Sequence, residues 1–273
     1  MNFKEQVAVV TGAGDGIGQG IAISLAKRGC RVACLDIADE KNKETADKAS
    51  IAAGADCRAY HCDLAEPDSI DKTFEAIFRD FGKIDILINN ASVFSTMSFV
   101  EDSYESALKD YHFNMDVNAR GMFLCAKKAA PHMAEKGYGH IINVITNHVK
   151  RYLFPPSDNE HSYDASKYAQ LALNESLDCE LKKYGVRVNA ICPAATRTPM
   201  LQAFFDDLGM ELSRETIGKC AGIASLLEAE EVAEAVCHIL DWDNTQPTGK
   251  AFLVMYSEDC EKLKNGYVEE LAK

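Results

Sequence analysis

Val7-Ala8-Val9-Val10-Thr11-Gly12-Ala13-Gly14-Asp15-Gly16-Ile17-Gly18 passes from four apolar side chains into a glycine-spaced turn. An unbroken apolar run between a polar start and glycine suits a strand buried on both faces. After Gly18 the apolar positions Ile21, Leu25 and Ala26 fall at helical spacing. Strand, glycine turn and helix in that order leave bare backbone N–H groups at the helix start, and glycine lets an anion approach them. Gly12, Asp15, Gly16, Ile17 and Gly18 are therefore candidate contacts to a pyrophosphate. The spacing, Gly12-x-x-x-Gly16-x-Gly18, departs from G-x-G-x-x-G, and a turn that binds nothing is the alternative.

Downstream the same unit recurs. Arg31 to Leu35 reads as a second strand ending at Asp36, eighteen residues beyond Gly18. An acid at that separation can accept hydrogen bonds from an adenosine ribose and repels a 2′-phosphate, which argues for NAD over NADP. Its alternative role is to cap the following helix. A helix over about 40–53, a strand from Cys57 to Tyr60, a helix opened by Pro67 and running to Phe81, and a strand from Ile84 to Ile88 come next. The sequence predicts one long helical region over about 102–136, a strand from His140 to Ile145, a helix over 162–184, a strand from Val186 to Cys192, a helix from Glu230 to Leu240 and a last strand from Ala251 to Met255. Alternating strands and helices predict an α/β fold: a single Rossmann-type domain over 1–273, a doubly wound parallel sheet of about seven strands with helices on both faces. Such sheets bind ligands at the carboxyl ends of their strands.

One helix carries chemistry. Tyr163-Asp164-Ala165-Ser166-Lys167 places a phenol and an ammonium four residues apart, on one helical face. A nearby cation favours the phenolate, so Lys167 is expected to ease ionisation of Tyr163 and make the pair able to move a proton. An isolated pair at this spacing is usually a surface feature; here the rest of the sequence overturns that reading.

Segment 199–225, with Phe204, Phe205, Leu208, Met210 and Leu212 among polar residues, is too irregular for a plain crossover helix. It reads either as a substrate lid or as a pair of packed short helices. The tail, about 256–273, spaces Cys260, Leu263, Tyr267, Val268 and Leu271 helically and could cover the pocket or a neighbouring subunit, although Gly266 weakens the helix.

The balance of 29 Lys+Arg against 42 Asp+Glu, a formal charge of −13, offers no basic field for nucleic acid. The N-terminus has no apolar signal core, and no run approaches the roughly 20 apolar residues of a membrane span, so neither membrane nor secretion is expected and a cytoplasmic location is. Ten cysteines lie scattered without a C-x-x-C pair. Cys34, Cys125, Cys192 and Cys237 follow apolar patterns, as buried free thiols do, and no metal site is assigned.

Taken in order, Thr11-Gly12-x-x-x-Gly16-Ile17-Gly18, Asp63-Leu64, Asn89-Asn90-Ala91, Asn118, a hydroxyl at Thr146, Tyr163-x-x-x-Lys167 and Pro193 through Thr198 resemble the short-chain dehydrogenase/reductase family over nearly the whole chain. The resemblance implies a catalytic group of four: Tyr163 as acid/base, Lys167 lowering its pKa and holding the nicotinamide ribose, Thr146 holding the substrate oxygen, and Asn118 keeping a water in a proton relay. It also implies cofactor contacts from Asp63 and Leu64 at the adenine, Asn90 and Ala91 near the adenosine ribose, Pro193 and Thr196, and Thr198 at the nicotinamide carboxamide. The activity implied is hydride transfer between NAD(H) and a secondary alcohol or ketone, the partner a small-molecule substrate, and the assembly a homodimer or homotetramer. The aromatic-rich segment points to hydroxysteroid-like or other cyclic alcohols; polyols, sugars and hydroxyacyl substrates stay open, as does an NAD-binding sensor or scaffold without turnover.

Four departures from the family pattern stand out: Thr146 for the usual Ser, Ser92 for the glycine after Asn-Asn-Ala, Ala194 for the glycine after Pro193, and Met255-Tyr256-Ser257 near the C-terminus for Val-Asp-Gly-Gly. A longer loop between Thr146 and Tyr163 adds His148, Arg151 and His161, each a candidate substrate contact, with Arg151 suited to a carboxylate.

Overall fold

The opening run becomes β1 (Val7–Thr11), buried along its whole length, and the glycine turn leads into α1 (Gly16–Lys27). These come from a computed structural model, which describes residues 3–150, 158–222, 224–266 and 269–272. β2 (Arg31–Asp36), α2 (Asp39–Ala53), β3 (Cys57–His61), α3 (Pro67–Phe81) and β4 (Ile86–Asn89) continue the alternation. After α4 (Tyr104–Asn114) and α5 (Met122–Lys136) come β5 (Gly139–Val144), α6 (His161–Leu181) and β6 (Val186–Pro193). The short β7 (Thr196–Arg197), α7 (Pro199–Asp207), α8 (Arg214–Ala221) and β8 (Leu227–Glu228) precede α9 (Ala229–Asp241), β9 (Ala251–Val254), α10 (Ser257–Lys264) and α11 (Glu269–Ala272).

Seven strands form one sheet in the order β3-β2-β1-β4-β5-β6-β9, every neighbour parallel. Period-two alternation divides its side chains between two cores. Ala8, Val10, Val32, Cys34, Ile86 and Ile88 face α1 and α9, whereas Val7, Val9, Ala33, Leu35 and Leu87 face α3 and α5. Strand order reverses between β1 and β4, so the loops after these two strands part and leave a cleft. That reversal positions the site.

The helical region expected over about 102–136 runs unbroken over 104–136, with one change of helix type inside it. Between α4 and α5 lies a π-helical turn, Met115–Gly121, with Asn118 at its middle. The wider turn has a local cause: Gln170 of α6 donates Nε2–H to the Asn118 main-chain oxygen at 2.7 Å, taking that carbonyl out of the regular α ladder.

Segment 199–225 forms a pair of short helices with a small core of their own, built on Phe205, Leu212, Ile217 and Leu226. Thr198 and Ser213 cap them, accepting from Leu201 N–H and Thr216 N–H. β7 and β8 pair in parallel and tie the two ends of the excursion together. The described tail residues pack on the molecule's own core: Cys260, Leu263 and Leu271 join the cluster around α9, and Trp242 Nε1–H donates to Leu263 O at 2.8 Å. None of them lines the large cavity. Tyr267 and Val268 lie outside the described residues. At Met255-Tyr256-Ser257 the chain turns into α10, with Asp259 Oδ2 accepting from Met255 and Tyr256 N–H. All ten cysteines are free thiols, and Cys34, Cys125, Cys192 and Cys237 are buried.

One buried histidine sets an acid limit on this fold. His140 is in register with Arg187 across β5 and β6; burial first, with the Arg187 cation adding, pulls its pKa from 6.5 to about 3. Above the higher value neither state binds the proton, so nothing is lost. As pH falls below it, the unfolded chain takes up a proton that the folded ring refuses, and stability drops by about 2 kcal/mol at pH 5. Thermal melts between pH 7 and 4 should therefore show a steeper fall in Tm for the wild type than for His140→Asn. Equal slopes would place the acid sensitivity elsewhere.

Candidate active site

A cavity of about 1380 Å³ runs along the carboxyl ends of the central strands, from Asp36 at one end to Phe204 at the other. At the first end the glycine turn is held by tight backbone contact. Gly12 has φ of +64°, and a Cβ there would lie 2.7 Å from Ala91 Cα. Asn90 Nδ2–H donates to the carbonyls of Thr11 and Gly12 at 3.0 and 3.1 Å, and Thr11 Oγ1 accepts from Asn90 and Ala91 N–H. Asn90 thus clamps the glycine turn from the loop after β4. Asp15 stands at the N-cap of α1 without a side-chain cap bond and pairs instead with Lys41 at 2.9 Å, so among the described residues no N-cap side chain takes the N–H groups of the first turn.

Asp36 closes this end. Its Oδ2 accepts from Gly14 N–H and its Oδ1 from Ala38 N–H, both at 2.8 Å. The N-cap of α2 is Ala38, so the capping role considered for Asp36 is corrected: its carboxylate faces the cavity and ties the turn to β2. Each oxygen keeps acceptor capacity for a further donor. Asp63 holds its own loop through Ala65 N–H at 2.8 Å and lines the cavity with Leu64. Bare helix-start amides, a turn too tight for a Cβ and an acid beside it fit the pyrophosphate and ribose of a dinucleotide.

The other end gathers residues from β5, α6 and the loop after β4. Tyr163 and Lys167 sit one turn apart on α6, with Lys167 Nζ 5.4 Å from the Tyr163 ring centroid. Thr146, just past β5, is buried; its hydroxyl donates to Asn147 Oδ1 at 3.3 Å and stands near enough to the Tyr163 phenol to act on its ionisation. Phe94 meets the tyrosine ring edge-on at 4.9 Å and meets Phe204 of α7 at 5.3 Å. Burial raises the Tyr163 pKa above the ordinary phenol range, with the nearby Thr146 hydroxyl opposing the rise and Glu160 and Asp164 adding to it. The same burial pulls Lys167 down to about 7. In the chain alone, then, burial dominates at both groups: desolvation disfavours both charged forms at once.

Asn118 is buried and saturated by the protein. Its Nδ2–H groups donate to Val93 O at 3.0 Å and Ser166 Oγ at 2.9 Å, and its Oδ1 accepts from Val93 N–H at 2.8 Å and Ser92 Oγ at 3.1 Å. The departure at Ser92 thus supplies a bond that glycine could not. Ala194 is buried in the cavity wall with Pro193 and Thr196; Thr196 Oγ1 donates to Ala194 O, and the Thr198 methyl packs where a Cβ on Gly16 would lie.

Of the three loop candidates, His148 reaches the cavity, His161 meets Phe99 edge-on at 5.1 Å outside it, and Arg151 lies outside the described residues. The sequence reading missed Asp164 and Glu160, whose carboxylates hold His148 Nδ1 at 3.0 and 3.3 Å. It also missed Phe94 and Gln170. Gln170 had a legible signal, a polar residue three positions beyond Lys167 on the same helical face; Phe94 had none.

Comparison with known proteins agrees with this geometry. A sequence model described as short chain dehydrogenase matches residues 6–209. The 2-(R)-hydroxypropyl-CoM dehydrogenase of Xanthobacter autotrophicus is 32% identical over 249 residues, 91% of this chain and 96% of that protein. Among solved structures, levodione reductase superposes with a TM-score of 0.84 over 94% of this chain and 98% of its own at 24% identity, which speaks for the fold. An NAD+-bound xylitol dehydrogenase is 27% identical with a TM-score of 0.81, covering 93% of this chain and 99% of that one. The matched span takes in the glycine turn, Thr146, Tyr163 and Lys167, and on that ground the chain belongs to the short chain dehydrogenase family of oxidoreductases.

Proposed function

We propose that this chain is an NAD-dependent dehydrogenase of secondary alcohols, working on the corresponding ketones in reverse, with hydroxysteroid-like or other cyclic alcohols as its substrate class. The observation that carries the reading is Tyr163 beside the buried Thr146 inside an aromatic-walled cavity whose far end is closed by Asp36. Thr146 positions the substrate oxygen, and Tyr163 takes the hydroxyl proton. The nicotinamide cofactor, when bound, supplies the acceptor for the carbinol hydride. Lys167 and Asn118 support the tyrosine from behind, and Asp63, Leu64, Asn90, Ala91, Pro193, Thr196 and Thr198 line the cofactor's path.

The wall over the substrate comes from Phe94, Met200, Leu201, Phe204 and Leu208, which suits an apolar ring system better than a sugar. Because four of these five lie on α7 or at its C-cap, segment 199–225 serves as the lid. A homodimer or homotetramer accounts for the exposed Phe99, Val100, Tyr104, Leu108 and Tyr111 on and before α4. No helix among the described residues is long and apolar enough to cross a membrane, and the charge of −13 disfavours nucleic acid, which supports a cytoplasmic enzyme of small molecules.

An absorbance assay of NADH formation over a panel of cyclic, aliphatic and polyhydroxy secondary alcohols tests the reading. Turnover should be highest with cyclic alcohols and NAD. Cofactor binding without turnover across the panel would favour a sensor instead. Asp36→Ala should shift kcat/KM toward NADP relative to NAD by on the order of 100-fold, the loss of charged hydrogen bonds to the ribose together with relief of phosphate repulsion. An unchanged ratio would remove Asp36 from cofactor choice.

A further inference from the structure

On the dehydrogenase reading, on which this inference rests, the skeleton that carries the reacting hydroxyl has to fit beside Tyr163, and the wall that yields least decides what enters. Four of the five apolar wall residues, Met200, Leu201, Phe204 and Leu208, are carried by α7 or its C-cap. Met200 and Leu208 are 44% and 53% exposed, so both have open space to turn into. Phe94 alone stands on the sheet's own loop, after β4.

That loop has no regular secondary structure, yet the residues on either side of Phe94 are each held by two hydrogen bonds. Val93 donates its N–H to Asn118 Oδ1 at 2.8 Å, and its carbonyl accepts from Asn118 Nδ2 at 3.0 Å. Ser95 Oγ accepts from Asn114 Nδ2 at 2.7 Å and donates to Asp110 Oδ1. Asn114 and Asn118 are themselves fully buried, so the grip comes from the packed part of the molecule. The Phe94 ring is then met from two directions. It lies edge-on to Tyr163 at 4.9 Å and 83°, and edge-on to Phe204 at 5.3 Å and 88°. Phe204 is backed in turn by Phe205, 5.8 Å away and buried in the small core of the helix pair. Displacing the Phe94 ring would break both edge-on contacts and strain a backbone pinned on either side.

We propose that Phe94 is the specificity-determining residue of this site, the fixed wall that limits bulk beside the carbinol carbon. Its contact is with the ring of Tyr163 itself, so the limit falls next to the reacting centre rather than at the far end of the substrate. Secondary alcohols on a ring left unsubstituted beside the carbinol pass the Phe94 ring. A quaternary carbon in that position meets it and is refused, because the pinned ring has nowhere to go. The lid residues bound the remoter part of the skeleton and leave its length open.

The test is the ratio of kcat/KM for 2,2-dimethylcyclohexanol to that for cyclohexanol, measured with NAD in the full chain. Both rates are read on one sample, so the ratio does not depend on the fraction of enzyme that is folded. Wild type should favour cyclohexanol by about tenfold or more, and Phe94→Ala should raise the ratio by about tenfold or more, the scale of a methyl-sized change in an apolar pocket. Phe94→Leu should fall between the two. Leu208→Ala, which trims the exposed lid wall instead, should move the ratio by less than about threefold. The assignment is overturned if wild type uses the two alcohols equally, if Phe94→Ala leaves the ratio unmoved, or if Leu208→Ala moves it as far. A wild type that oxidises no alcohol sinks the dehydrogenase reading as well, whereas a wild type active on alcohols but not on cyclohexanol sinks the Phe94 assignment alone.

Discussion

Tyr163→Phe should lower alcohol oxidation by about a thousandfold or more, within the range that loss of a positioned acid/base produces, while leaving dinucleotide affinity nearly unchanged. The variant removes one oxygen and keeps the ring. Phe94 at 4.9 Å and His148 at 5.9 Å pack against that ring edge-on, and neither contact uses the hydroxyl. Stability should therefore hold, since the variant removes only a buried phenol oxygen. Gly12, Gly16 and Asp36, the proposed cofactor contacts, line the other end of the cavity and are untouched. Steady-state NADH formation and a separate NADH-fluorescence titration measure the two quantities. Turnover within tenfold of wild type would take the proton-transfer role away from Tyr163.

Gly18→Ala should be the most damaging single methyl in the molecule. A Cβ at this position overlaps the Gly12 carbonyl oxygen and lies 2.5 Å from Asn90 Nδ2, the atom that clamps the turn. The obstacle is backbone rather than the far end of a flexible side chain, so α1 must move away from β1. Overpacking of this kind typically costs about 1–3 kcal/mol and here should reach the top of that range or exceed it. For a chain of this size, a loss of about 3 kcal/mol lowers Tm by roughly 6–12 °C. Dinucleotide binding should fail along with it if, as proposed, the displaced amides are the ones that meet the pyrophosphate. Calorimetry and an NADH titration check both; a variant that melts and binds like wild type would mean that the turn is not the cofactor's cradle. By contrast, Gly54 and Gly82 have nothing within 4 Å of an added Cβ, and their positive φ values alone make alanine unfavourable there.

The parallel sheet, the strand-turn-helix unit and the face shared by Tyr163 and Lys167 were legible because each is local. Period-two burial, a glycine turn and a four-residue helical offset all act over a few residues, so the order of the letters is enough. Boundaries shifted by a residue or two. The expected helical region held, but it widens into a π-helical turn around Asn118, where a side chain fifty-two residues away claims the carbonyl, and no local pattern encodes that.

Spacing along one chain was therefore enough for the family, the architecture and the identity of the two residues most exposed to chemical test. The ionisation of Tyr163 and Lys167, the saturation of Asn118, and the meeting of His148 with Glu160 and Asp164 emerged only from the folded molecule. Each of these depends on what surrounds a charge: desolvation and hydrogen-bond saturation are properties of an enclosed volume, and that volume exists only once distant segments have packed around it.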